Sequence, residues 1–332
     1  MNTQQITPGA IIEISGGYWK TCTLHAGVKL DIFTVIGSEQ LTSEDVAQKI
    51  DGDKRGVKIL LNALTAMNLL VKEDGFFSNT GASASFLSKD APQYMGHISM
   101  HHNNLVASWS QLDAAVRTGV PIRERASMRN EEWRESFLMG MFNMAMMMAP
   151  GIVKKIDISK RRHLLDLGGG PGTYAINYCL NNPHLKATVY DLPTTRPFAE
   201  RAIEKFGLTG RIRFMDGNYT EEGIEGTYDV AWLSHILHGE APEDCQKIIQ
   251  KAVSALETGG MILIHDFILD NTLDGPLFPA LFSLNMLLGT PSGQAYSEQQ
   301  ISDMLGKAGV KEIRRISIQT PNDSGVIAGV IE

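Results

Sequence analysis

Cysteine is scarce: Cys22, Cys179 and Cys245 are odd in number, far apart and outside any Cys-x-x-Cys spacing. That excludes a disulfide framework and a thiolate zinc site. Basic residues are outnumbered, 30 lysines and arginines against 37 acids, for a formal charge of −7. A nucleic-acid binder usually carries a basic face to neutralise phosphates, so this balance argues against that class. No apolar run approaches the ~20 residues that span a bilayer. The longest, near Pro276–Gly289, is interrupted by Ser283 and Asn285. The N-terminal stretch MNTQQITPGA lacks the basic and apolar blocks of a signal peptide, and neither an internal repeat nor a low-complexity linker is present. With 332 residues, 43% of them hydrophobic, the chain is too long for one small domain and too apolar for disorder. The expectation is a cytoplasmic globular protein of one or two domains, with no membrane and no nucleic-acid partner. Against this background methionine stands out: there are 15, six of them between Met139 and Met148.

From His163 onward, short β-rich runs alternate with helical patterns. The runs are 163–168, 186–192, 211–217, 228–237 and 261–269, and the helix-like stretches between them include 175–181, 196–206 and 242–256. Apolar strands separated by helices imply βαβ units and a parallel sheet covered on both faces. Ser297, with Gln300 three residues on, predicts a capped helix to Lys307. Two last strands, 310–319 and 324–332, are joined by a link too short for a parallel crossover, so they are expected as an antiparallel hairpin. The first half reads as helical. Helices over 42–50 and 56–70 precede a hairpin signal at Asp74-Gly75, a winged-helix order, and long helices are expected over 91–118 and 131–156. The domain boundary is placed near 154–162, giving domains 1–155 and 156–332.

The sharpest motif is Asp166-Leu167-Gly168-Gly169-Gly170-Pro171-Gly172, directly between a strand and a helix. Glycines let the backbone turn tightly and approach a ligand without a Cβ in the way. A dinucleotide site would want G-x-G-x-x-G, but Thr173 stands where the last glycine belongs. The run instead resembles D-x-G-x-G-x-G, the first-strand signature of S-adenosylmethionine (SAM)-dependent methyltransferases. In that setting Asp166 stands near the ammonium of SAM, and Gly168 and Gly170 make room for its methionine part. Asp191, ending the second strand, can accept both ribose hydroxyls through its two oxygens. Asp216, ending the third, can receive the adenine amino group. Their neighbours Leu192 and Gly217 complete the expected cofactor contacts.

Further segments resemble the class I O-methyltransferases of the caffeic-acid and hydroxyindole type, over nearly the whole chain. Ser108–Leu112 with Ala115–Pro121 is similar to that family's substrate-domain helix and its G-x-P exit. Val189–Pro193 resembles F-D-L-P, and Met215–Tyr219 stands where the family has G-D-M-F. Trp232–His238, with Glu243-Asp244-Cys245 after it, resembles L-x-x-x-L-H-D-W-x-D-E-x-C. The resemblance implies an α/β fold: a Rossmann-like SAM-methyltransferase sheet with a C-terminal antiparallel hairpin, preceded by a mainly α winged-helix dimerisation domain that forms a homodimer. It implies methyl transfer from SAM to a hydroxyl of an aromatic small molecule, with His238 as general base and Asp266 orienting it. It further implies acceptor contacts from His102, Trp109, Asn143, Met146, Met147 and Asn285, a flat pocket partly lined by the methionine run, and no metal. Four positions depart from the family: Gly239-Glu240 replaces Asp-Trp after the histidine, Ala295 stands at a second histidine-supporting acid, and Ser234 replaces a lysine that backs the adenine. Altered bases of this kind also leave C- or N-methylation, or non-transfer use of SAM, as alternatives.

Two other constellations have simpler readings. His97, His101 and His102, at i, i+4 and i+5, could place two imidazoles on one helix face, but no local acid or cysteine accompanies them, and they are read as pocket-lining or exposed rather than as a metal site. The winged-helix order raises a ligand-sensing transcription regulator as a rival. Between Glu39 and Asp90, however, eight acids face six bases, and Lys58 is the only charge in 56–70. A helix for the major groove needs exposed basic and amide side chains.

Overall fold

A computed structural model of the chain describes residues 6–125 and 130–332, so the first five residues of the polar N-terminal stretch lie outside it. The contacts divide it into two compact units, residues 1–106 with 135–143, and residues 107–134 with 144–332. The division is discontinuous, where the sequence suggested one cut near 155.

The first unit contains α1 (Pro8–Gly16), α2 (Tyr18–Lys29), α3 (Ile32–Ile36), β1 (Leu41–Thr42), α4 (Ser43–Lys49), α5 (Lys54–Ala66), β2 (Leu70–Glu73), β3 (Phe76–Asn79), α6 (Gly81–Phe86) and nearly all of α7 (Gly96–Trp109). Thr42 and Asp45 form a reciprocal capping box at α4, and Asp53 accepts the Gly56 amide at 2.8 Å to start α5. The expected helix over 56–70 ends earlier, because Asn68 takes a left-handed φ of 57 that releases the chain into β2. β2 and β3 pair antiparallel across Asp74-Gly75, and β1 adds to β3. The core gathers Ile32, Phe33, Ile36, Val46, Leu61, Leu64 and Phe77.

The expected helix over 91–118 is broken. After α7, Ser110 Oγ and Gln111 Nε2 both donate to the Ala107 carbonyl, at 2.8 and 3.1 Å. Side chains that compete for a helical carbonyl end the helix, and the chain restarts as α8 (Leu112–Thr118). Asn130 caps the long α9 (Glu131–Val153). Its residues 135–143 cluster with the first unit, while its two ends cluster with the second. In the first unit Gly140 lies so close that a Cβ would stand 3.0 Å from the Ile98 backbone, and Phe137 meets His101 at 5.3 Å. By length and composition α9 suffices to cross a membrane, which corrects the expectation that no stretch of this chain would. Its flanks are nonetheless used by protein contacts: Asn143 Nδ2 donates to the Tyr94 carbonyl at 2.5 Å, and Met146 Sδ accepts from Asn177 Nδ2 at 3.3 Å.

The rest of the second unit alternates strands and helices except at β6–β7 and β10–β11: β4 (His163–Leu167), α10 (Thr173–Asn181), β5 (Lys186–Asp191), α11 (Arg196–Lys205), β6 (Ile212–Asp216), β7 (Tyr228–Ser234), α12 (Pro242–Ser254), β8 (Leu256–Leu269), α13 (Leu277–Gly289), β9 (Tyr296–Ser297), α14 (Glu298–Lys307), β10 (Lys311–Ile316) and β11 (Ser324–Val330). The main sheet has the order β10-β11-β8-β7-β4-β5-β6, with β9 beside β8. From β8 to β6 the pairs are parallel, and β10–β11–β8 are antiparallel, so the expected hairpin closes one edge. β5 and β6 run out on one side of β4, β7 and β8 on the other. The carboxyl ends of β4 and β7 therefore border a topological switch point, where open α/β sheets bind ligands.

Candidate active site

At the carboxyl end of β4 the glycine run turns with positive φ at Gly168, Gly170 and Gly172, of 65, 54 and 80. A Cβ at Gly168 would stand 2.5 Å from Ile236 Cγ2. Gly170 differs: open space lies where its Cβ would be, and its amide donates to Asp191 Oδ2 at 2.7 Å. The turn is thus tied to the end of β5 while leaving a bare backbone toward the crevice.

Asp166 is fully buried. Its Oδ2 accepts the Ala175 amide at 3.0 Å, whereas Oδ1 has no hydrogen-bond partner. Burial, with the Asp191 charge adding to it, pushes its carboxyl up to about 7. A buried carboxylate with an orphaned oxygen is set for a cationic partner. Asp191 is better satisfied. Its Oδ1 accepts the Leu192 amide at 2.7 Å and the Thr195 hydroxyl at 3.2 Å, although burial still raises its pKa. Asp216, its register partner on β6, is exposed and held by Arg196, Nε to Oδ1 at 3.0 Å and Nη2 to Oδ2 at 2.8 Å. Each oxygen keeps a second lone pair. The Gly217 amide donates to the Asp191 carbonyl at 3.0 Å, and a Cβ there would run into the Tyr190 hydroxyl. Ser234 is drawn into another network: its Oγ meets His265 Nδ1 at 2.9 Å, and His265 Nε2 meets Ser324 Oγ at 3.1 Å. Burial holds His265 well below the usual imidazole range, so it is neutral and can bridge two hydroxyls.

Past β7 the chain enters a short turn that carries His238. Its Nδ1 is 2.6 Å from Asp266 Oδ1, and its amide donates to Asp266 Oδ2 at 3.3 Å. Asp266 also accepts the Phe267 amide at 2.8 Å. Burial alone would raise the Asp266 carboxyl, but the His238 and His235 imidazoles outweigh it and hold the group well below the usual range. The His238 ring stacks on Phe267 at 5.8 Å and meets the edge of Phe282 at 4.7 Å. With Nδ1 bound to a carboxylate, Nε2 is the nitrogen left to accept a proton, among apolar walls.

His235, His238 and Asp266 bring three ligand-type atoms within 4.8 Å of one another. The 2.6 Å between His238 and Asp266 is a hydrogen-bond length. Two ligands at ~2.1 Å around one tetrahedral ion stand about 3.4 Å apart. The arrangement is that of a hydrogen-bonded pair.

The expected acceptor residues scatter more widely. Asn285, on α13, is held by Arg123, whose Nη2 donates to its carbonyl and to Oδ1 at 3.1 and 3.0 Å. Trp109 and Met146 are half-buried in the second unit, and Met147 is 57% exposed. His102 and Asn143 belong to the first unit, His102 exposed and Asn143 bound to Tyr94. The sequence reading missed His235 and Arg125. Arg125 pairs with Glu240 at 2.7 Å and donates to the Gly239 carbonyl at 2.5 Å. It thereby clamps the two positions that depart from the family pattern. The charge of Glu240, in place of the family's tryptophan, was the available signal that a cation would be found there. Ala295, buried, lends its amide to Ser283 Oγ at 3.1 Å.

The chain is similar to known proteins over nearly its whole length. A model of the O-methyltransferase domain matches residues 109–311, and one of the O-methyltransferase dimerisation domain matches residues 12–89. Among similar proteins is the 3-hydroxy-5-methyl-1-naphthoate 3-O-methyltransferase of Streptomyces sahachiroi, 33% identical over 97% of this chain and 95% of the relative. Another is the acetylserotonin O-methyltransferase of Gallus gallus, 28% identical over 92% of this chain and 93% of that protein. Among solved structures, PigF with SAH superposes with a TM-score of 0.90 at 26% identity, covering 98% of this chain and all 100% of the other.

Proposed function

The chain belongs to the O-methyltransferase family and is SAM-dependent, and on that premise we propose that His238 is the base by which it methylates a hydroxyl of a planar aromatic acceptor. The observation that carries this reading is the 2.6 Å His238–Asp266 pair between Phe267 and Phe282, beside the glycine turn.

The residues present fit the cofactor. Asp166 offers a buried, unpartnered oxygen for its ammonium, and the bare backbone at Gly170, with Gly168 completing the turn, leaves it room. Asp191, with Leu192 beside it, would hold the ribose; Asp216 and Gly217 would hold the adenine end. Ser234, occupied by His265, would contribute through the shape of the sheet edge. SAM supplies an electrophilic methyl group when bound.

The protein's own work is positioning and proton transfer. A phenol ionises near ~10 and an ordinary imidazole near ~6.5, so proton transfer to His238 is uphill in water. Asp266 offsets this by stabilising the imidazolium and by fixing the tautomer that leaves Nε2 free. The phenyl rings exclude water from that nitrogen. A positioned base of this kind contributes roughly 10²–10⁴-fold. Within the second unit Trp109, Met146, Met147 and Asn285 would contact the acceptor, and the family resemblance assigns the same role to His102 and Asn143.

The first unit, within the proposed domain of residues 1–155, would form the homodimer. Ile11, Ile12, Ile14, Tyr18 and Trp19, all exposed on α1 and α2, supply apolar side chains that a partner subunit would cover. We assign the protein to the cytoplasm, with neither nucleic acid nor membrane as partner; its three cysteines are free thiols, as a reducing compartment allows.

Labelled SAM with 3-hydroxy-5-methyl-1-naphthoate and N-acetylserotonin as probe acceptors tests the reaction by mass spectrometry of the product. Turnover of an accepted probe should fall at least ~100-fold in His238→Ala. Turnover within a few-fold of wild type would remove His238 as base. Calorimetry with S-adenosylhomocysteine tests the cofactor site, since unchanged binding by Asp191→Ala would exclude the ribose assignment.

A further inference from the structure

Strand β7 ends at Ser234, and the next residue, His235, turns left-handed with a φ of 56. Few non-glycine residues sit there, and those that do often serve a site. The turn sets the His235 ring against His265 and Phe267, each at 4.4 Å, and brings Nδ1 3.5 Å from Asp266 Oδ1. That nitrogen is buried and has no hydrogen-bond partner. The oxygen it faces is the one that binds His238 Nδ1 at 2.6 Å. Two imidazoles therefore converge on a single carboxylate oxygen.

We propose that His235 is a positioning residue: by facing the same Asp266 oxygen as His238 it weakens the carboxylate's hold on the imidazolium that forms when His238 takes the proton. The inference rests on the reading of His238 as base. A carboxylate that faces a second donor or cation stabilises a neighbouring imidazolium less, so removing that donor makes the neighbour hold its proton more tightly. Beyond the pair, Arg125 and Glu240 bind each other at 2.7 Å beside Gly239, so their charges offset one another, and three further ionisable groups stay uncharged near neutrality. Burial holds His265 on β8 below the imidazole range, pushes the Cys245 thiol on α12 up to about 12 and raises Tyr296 on β9 above its ordinary value. Helix α13 contributes the Phe278 and Phe282 rings. The two imidazoles that face Asp266 are thus those of His235 and His238, with the internally paired Arg125 and Glu240 as the neighbouring charges.

The test is an NMR titration of the imidazole nitrogens in the full chain bound to S-adenosylhomocysteine, with His238→Ala identifying the His238 signal. His235→Phe keeps a ring and removes the donor; His235→Asn tolerates the left-handed turn and keeps an N–H. The His238 titration should move to higher pH by about half a unit or more in the Phe variant and return most of the way in the Asn variant. An unmoved titration in the Phe variant, or equal shifts in both, would overturn the proposal, since packing alone would then explain His235. If the Phe variant does not fold, His235→Gly, which relaxes the backbone and removes the donor, is read in its place. Failure of the base itself is seen separately: wild-type turnover of the naphthoate probe by His238→Ala removes that reading whatever the titration shows.

Discussion

Asp166→Asn should stabilise the ligand-free protein while weakening its hold on the cofactor. The Asp166 carboxyl titrates at about 7 in the folded chain, against an ordinary value of 3.8. A raised value means that the folded state binds more protons than the unfolded one between those limits, so stability falls as pH climbs from about 4 to about 7. At 1.36 kcal/mol per unit, the two units between pH 5 and pH 7 amount to about 2.7 kcal/mol, and the whole span to about 4. Asparagine carries no charge and can keep accepting the Ala175 amide through its oxygen. The stability gap between variant and wild type should therefore widen by about 2–3 kcal/mol from pH 5 to pH 8, roughly 5 °C or more in Tm. Saturating S-adenosylhomocysteine should reverse the order, because its ammonium is the partner that the orphaned oxygen lacks. Binding by the variant at pH 8 should weaken by about tenfold or more, the loss of a charged hydrogen bond in a buried setting. Thermal scans across pH, with and without ligand, read both effects. A gap that stays constant with pH, or a variant less stable than wild type at pH 8 without ligand, would refute the reasoning.

Gly168→Ala combines a left-handed backbone with a Cβ 2.5 Å from Ile236 Cγ2. It should cost about 2–4 kcal/mol in chemical denaturation, with only part recovered by a second change, Ile236→Ala. Arg125→Met should release the turn after His238, and a double-mutant cycle with Glu240→Gln should return a coupling of about 1–3 kcal/mol in turnover. A coupling near zero would show that the clamp is idle.

The parts that local chemistry dictates were legible beforehand. β4, β5 and β7 are apolar on both faces because helices cover both, and the link between the last two strands, expected as four residues and found as residues 317–323, is too short for anything but an antiparallel edge. The glycine turn and its acids could be read because each sits within a few residues of the strand end that places it. What escaped depends on competition or on distance. The break between α7 and α8 comes from Ser110 and Gln111 outbidding the backbone for one carbonyl, and nothing in apolar spacing signals that. Arg125 meets Glu240 across 115 residues, and His235 acquires its role only when β8 brings Asp266 alongside. The methionine run announced an adaptable surface without saying which faces it covers: Met146 is held by Asn177, whereas Met147 points to solvent.

Helix α9 bears on how such a chain can be taken apart or recombined. One uninterrupted rod contributes its middle to the first unit and both ends to the second, so no single crossover yields two whole modules. A fragment ending at residue 106 would strip α7 of Phe137 and of the close approach of Gly140. A fragment beginning at 107 would carry residues 135–143 as a stretch of helix without its partners. The first unit can pass whole between relatives only as a two-piece exchange that takes the centre of this helix along. A graft of residues 1–106 alone would divide the helix's middle from the fold it completes.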